Sequence, residues 1–108
     1  MKNTIIEMIH KTQYKELKIY LNTINVVDIA EIFEDLNLEH VLIIFRLLNK
    51  DKAAEVFAYL NREHQQLIIE SISDKEIHNI IDELFIDDTV DFLEEMPASV
   101  VKKVLKNT

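Results

Sequence analysis

From Asn25 onward the sequence repeats a beat of twelve residues. Written in blocks it reads NVVDIAEIFEDL, NLEHVLIIFRLL, NKDKAAEVFAYL, NREHQQLIIESI, SDKEIHNIIDEL, FIDDTVDFLEEM and PASVVKKVLKNT. Successive blocks open on Asn25, Asn37, Asn49, Asn61 and Ser73, side chains that accept a hydrogen bond from the exposed amides of a helix start. Ser73 followed by Glu76 reads as a capping box, and Pro97 opens the last block, where a missing N–H costs least. Block positions 5, 8, 9 and 12 are mostly apolar, as in Ile29, Ile32, Phe33, Leu36 and Val41, Ile44, Phe45, Leu48. Steps of three and four place them on one stripe of a helix.

Helices of about ten residues are only about 15 Å long and are marginal alone in water. They must bury their stripes against one another, and short rods repeated at a fixed period are the signature of an α-solenoid. The chain has no Gly and one Pro, which leaves little material for hairpin turns or phosphate loops. The expected fold class is all-α, a superhelix of short helices with a period of twelve residues. Thr4 to His10 and Gln13 to Ile24 read as one or two leading helices with looser periodicity. Residues 1–108 therefore form one domain, with 1–24 capping the stack and 25–108 carrying the repeats.

Composition removes several function classes. Without Cys there is no disulfide, no thiolate metal site and no cysteine nucleophile. A net charge of −8 disfavours nucleic acid and anionic lipid, which need clustered Lys and Arg, and favours cations or basic partners. The apolar run Val41 to Phe45 is far short of the roughly 20 residues of a membrane span. The N-terminal MKNTIIEMIHK, broken by Glu7, does not make a signal peptide. The expectation is a soluble, cytosolic chain.

His10, His40, His64 and His78 include no pair at i, i+4 and no HExxH motif, so they read as exposed or capping residues. Phe33, Phe45 and Phe57 recur at block position 9 and read as a core ladder rather than a stacking surface for bases. Glu94 and Glu95 are adjacent on a helix, point about 100° apart, and have no loop-built cleft around them. No catalytic residue is assigned, and the chain is read as a non-enzyme. Lys102, Lys103 and Lys106 complement the negative end of the last helix.

The stretch LFIDDTVDFLEEMP, residues 84–97, is the strongest signal for chemistry. From Asp82 to Glu95 there are seven acidic residues and no Lys or Arg. With Thr89, Phe92, Leu93 and Met96 as the inward stripe, Asp87, Asp91 and Glu94 form a row on the opposite side. One reading is that Asp87 and Asp88 replace the missing Asn cap at the positive end of the helix while the glutamates are merely solvated; capping accounts for Asp87 or Asp88 but not for Asp91 and Glu94 on the same row. A glycine-containing calcium loop is absent, and what remains suits Mg2+, which takes one or two carboxylates and keeps several waters.

The pieces DIAEIFEDL, LLNKDKAAEVFAYLN and LFIDDTVDFLEEMP, in this order and on one period, resemble the N-terminal cytosolic domain of MgtE-type magnesium transporters. The similarity covers about Asn25 to Thr108, with Asn replacing a proline common in the family's turns. It implies a right-handed superhelix at the cytoplasmic face of the cell membrane, linked to a pair of CBS domains and a transmembrane pore, as a homodimer. It also implies a regulatory role in which Mg2+ bridges acidic residues of this domain and the CBS domains and favours the closed state. Matched to the family pattern, the metal residues are Asp87, Asp91, Asp88 and, for a separate ion, Glu55. Since the partner carboxylates come from elsewhere, Mg2+ binding to this chain alone is expected to be weak, on the order of millimolar.

Two other readings remain open at this stage. One is a helical-repeat scaffold for a protein partner, with the acids as electrostatic guides. The other is a FliG-like flagellar motor switch domain, which NREHQQLII resembles, although Gln65 stands where that motif has Pro.

Overall fold

In a computed structural model, the backbone is described for residues 1–84 and 86–106, and the side chains for 1–84 and 90–106. Among these residues the chain is all helix and short corners, without strands. The order is α1 (Lys2–His10), α2 (Tyr14–Leu21), α3 (Val26–Glu34), α4 (Leu38–Leu47), α5 (Lys50–Tyr59), α6 (Arg62–Ser71), α7 (Asp74–Glu83), α8 (Ile86–Glu94) and α9 (Ala98–Lys106). The two leading helices and the seven blocks thus each become one rod.

The block openings act as the repeat requires. Asn25, Asn37 and Asn61 accept from the backbone amides of Asp28, His40 and His64 at 2.8–2.9 Å. Ser73 and Glu76 close the expected capping box. Asn49 has the same extended backbone but makes no side-chain cap bond. A cap bond contributes about 1 kcal/mol. Asn37→Ala should therefore lower the unfolding free energy by about 1 kcal/mol and Asn49→Ala by only a few tenths, a contrast that urea titration of the two variants would check.

The α1–α2 corner solves a different problem. Thr12 has a φ of 54°, the left-handed conformation that glycine adopts most easily. The amides of Thr12 and Gln13 donate to the Ile9 and Met8 carbonyls, the paired pattern of a Schellman ending. In a chain with no glycine, a threonine carries the strain of that position.

Helices pack against the next but one. The pairs α3 with α5, α5 with α7 and α7 with α9 form one row, and α2 with α4 and α4 with α6 form a second. Consecutive rods from α2 to α7 therefore alternate between the rows, while α1 packs on α2 and α9 also packs on α6. The whole measures 38 × 22 × 21 Å. Between the rows runs one apolar core containing the ladder Phe33, Phe45 and Phe57, together with Ile29, Ile44, Ile68 and Ile77 from the repeat stripe.

Long polar side chains tie rods that are not neighbours in sequence. Lys52 of α5 donates to the Leu21 and Ile24 carbonyls just at and beyond the end of α2, at 3.0 and 2.7 Å. Lys103 of α9 does the same for α6, reaching the Ile69 and Ile72 carbonyls at 2.7 and 3.3 Å. A helix end leaves its last four carbonyls without intrahelical partners, and a lysine from three helices away reaches one of them together with a carbonyl just beyond the helix. Lys103 thus lies near the end of its own helix, as its sequence position suggests, but its ammonium serves another.

Candidate metal centre

The acidic stretch lies on α7, α8 and the corner between them, and α8 is held by both oil and polar bonds. Phe92 is buried to 1% and meets Phe57 of α5 edge-on, with ring centroids 5.3 Å apart at 75°. Met96 is also buried and Leu93 half-buried, as the periodicity expects of them, while Thr89, the fourth residue of the expected stripe, lies outside the described side chains. At its C-terminal end, Glu95 accepts from Arg62 Nε at 2.7 Å. Arg62 Nη1 in turn donates to Gln65 Oε1 at 2.8 Å, and Gln65 Nε2 to the Phe57 carbonyl at 2.8 Å. This relay fastens the end of α8 to α6 and α5.

The carboxylates of the stretch divide into two sets. Asp82 and Glu83 lie 3.9 and 3.8 Å from Lys50 Nζ, Asp82 also lies 3.1 Å from His78 Nε2, and Glu95 is bound by Arg62. Asp91 and Glu94 are exposed and make no ion pair among the described residues. They sit three residues apart on the outer face, as the sequence predicts. Asp91 lines a hollow of about 60 Å³ together with Arg62, Gln65 and the rings of Phe57 and Phe92. Its helix is therefore positioned by a packed floor even though its carboxylate faces water. Glu55, on α5, is likewise exposed. The side chains of Asp87 and Asp88 lie outside the described residues.

Do these groups suit Mg2+? Carboxylate oxygen is the donor that a hard cation takes, and free carboxylates in water need no dehydration of a buried cage. Among the described residues no three His, Asp, Glu or Cys side chains converge to enclose an ion. The fit is to an ion that keeps much of its water and takes further ligands from a second surface. His78 meets Asp82 of the stretch, whereas His64 Nδ1 is 2.9 Å from Asn61 Oδ1 and the His10 and His40 rings meet at 5.8 Å.

Sequence reasoning missed Arg62, Gln65 and Lys50 as the groups that sort the acids. One signal was present. Block position 5 runs Ile29, Val41, Ala53, Gln65, Ile77, and a glutamine in an apolar slot marks a polar bond that the core needs. It is buried to 1%.

No described helix is long and apolar enough to cross a membrane. Comparison with curated proteins gives no significant match. A family model of the MgtE intracellular N domain matches residues 24–108, the whole of the twelve-residue repeat. The chain belongs to this family, the N-terminal domains of MgtE magnesium transporters, which are transporter domains rather than enzymes.

Proposed function

We propose that this domain is the magnesium sensor of its transporter, with Asp87, Asp91, Asp88 and, for a separate ion, Glu55 sharing hydrated Mg2+ with carboxylates of CBS domains in a homodimeric assembly. The observation that carries this reading is the division of the acids. Asp82, Glu83 and Glu95 pair with cations of the same chain, whereas Asp91, although it lines a hollow with Arg62, and Glu94 make no ion pair among the described residues. Like charges at this spacing cost about 0.2–0.5 kcal/mol per pair, and a divalent cation would offset that repulsion.

Two acidic surfaces repel when divalent cations are scarce and approach when the carboxylates share them. The closed arrangement binds the ion better than the open one, so rising Mg2+ shifts the population toward closure. Asp91, fixed on the helix that Phe92 and Glu95 anchor, presents its carboxylate at a defined place on that surface.

Titrating the 15N-labelled chain with Mg2+ should move amide resonances centred on Asp91, and Asp91→Ala should abolish those shifts. NaCl at equal ionic strength should leave them nearly unchanged. Shifts that follow ionic strength alone would favour a plain interaction scaffold instead.

A further inference from the structure

The hollow beneath α8 places a cation of the chain beside the acid row. Arg62 and Asp91 both line it, and its volume of about 60 Å³ admits about two waters. The Arg62 guanidinium is therefore a resident rival to any divalent ion at Asp91. Yet Asp91 makes no ion pair among the described residues, and Arg62 pairs with Glu95 instead. Asp91 and Glu95 lie four residues apart, a spacing that sets side chains on neighbouring helical turns with Cβ atoms about 5–6 Å apart. A shift of one turn would exchange one partner for the other.

Two restraints oppose that shift. Arg62 Nε donates to Glu95 at 2.7 Å and Nη1 to Gln65 Oε1 at 2.8 Å. Gln65 cannot follow the guanidinium outward, because it is buried to 1% and its own Nε2 is bound to the Phe57 carbonyl at 2.8 Å. A guanidinium carries five N–H donors in a rigid fork that suits carboxylates, and these two bonds are the ones its side chain makes among the described residues. Donors are thus left over. Among the described residues that line the hollow, Asp91 carries the one carboxylate they could take.

We infer that Gln65, Arg62 and Glu95 are positioning residues for Asp91: they hold the guanidinium one helical turn away, which leaves the Asp91 carboxylate open to a cation. This rests on the reading of Asp91 as a Mg2+ ligand. Glu95 is then no ligand itself but the group that occupies the competitor, and the hold it keeps on Arg62 sets the Mg2+ concentration at which Asp91 responds. The Arg62–Glu95 pair is partly exposed, with side chains 37% and 59% accessible, so its contribution to stability is small. Its effect is on which acid stays unpaired.

Two variants of equal charge test the inference. Glu95→Ala and Glu95→Gln each remove one negative charge, but glutamine keeps an oxygen where Arg62 donates. Followed at the Asp91 amide of the 15N-labelled chain, Mg2+ affinity should fall by at least about threefold in Glu95→Ala and by less in Glu95→Gln. Adding Arg62→Gln to Glu95→Ala removes the competitor and should return the affinity to within about twofold of the parent. A second readout needs no metal. The chain has two arginines, Arg46 and Arg62, so the Arg62 Nε–Hε correlation is readily assigned. In Glu95→Ala it should move when Asp91→Asn is added; in the parent, Asp91→Asn should leave it in place. Equal weakening by alanine and glutamine, no recovery on Arg62→Gln, or an Arg62 signal indifferent to Asp91→Asn would each overturn the inference. The metal-free signal judges the relay by itself, so a parent chain that ignores Mg2+ would count against the sensor reading alone.

Discussion

Phe57→Ala should lower the unfolding free energy by about 3–5 kcal/mol, the cost of emptying a fully buried aromatic position. A domain of this size has about 5–15 kcal/mol in total, so the variant should be marginal at room temperature. Phe57 is buried to 1% in the core ladder, and its ring supports Phe92 of α8. The loss should therefore fall on the acidic helix as well as on the repeat core. Urea unfolding of Phe57→Ala, Phe92→Ala and the double variant would measure both. The ring pair should appear as a coupling of about 0.5–1.5 kcal/mol, in the sense that the double variant loses less than the sum. A loss below about 1 kcal/mol for Phe57→Ala would contradict the packing described here.

Lys103→Met should cost about 1.5–3 kcal/mol, the range for hydrogen bonds to a charged group. Methionine keeps most of the aliphatic stem, so the change isolates the ammonium. The ammonium holds the Ile69 and Ile72 carbonyls, and with it α9 is fastened to the end of α6. Lys52→Met should behave alike for α5 and α2. Hydrogen exchange would locate the effect. In Lys103→Met, protection should fall first in α9 and in the last turn of α6, with α1 to α4 unchanged. A uniform loss, or a variant as stable as the parent, would show that water satisfies those carbonyls equally well.

The repeat was legible in sequence because its determinants are local. A capping side chain, a stripe spaced by three and four, and the absence of glycine act within ten residues, and Asn25, Asn37, Asn61 and Ser73 cap as their positions imply. The outward face of Asp91 and Glu94 follows from the same periodicity. What lay beyond the sequence is contact across blocks. Nothing near Lys103 in the chain shows that its ammonium will reach α6, 31 to 34 residues earlier. The sorting of the acids by Lys50 and Arg62 depends on partners about thirty residues away. Asn49 marks the opposite limit, a cap residue in the right place whose side chain makes no cap bond.

Paramagnetic broadening by Mn2+, which takes the same oxygen ligands as Mg2+, would locate a divalent ion on the 15N-labelled chain. At substoichiometric Mn2+ the amides of residues 87–94 should lose intensity first, with a separate, weaker focus at Glu55, and Asp91→Asn should remove the first focus. Equal broadening around every exposed acid, with Glu31, Glu34 and Asp35 of the α3 end affected as strongly as Asp91, would mean that the chain attracts divalent cations only through its net charge.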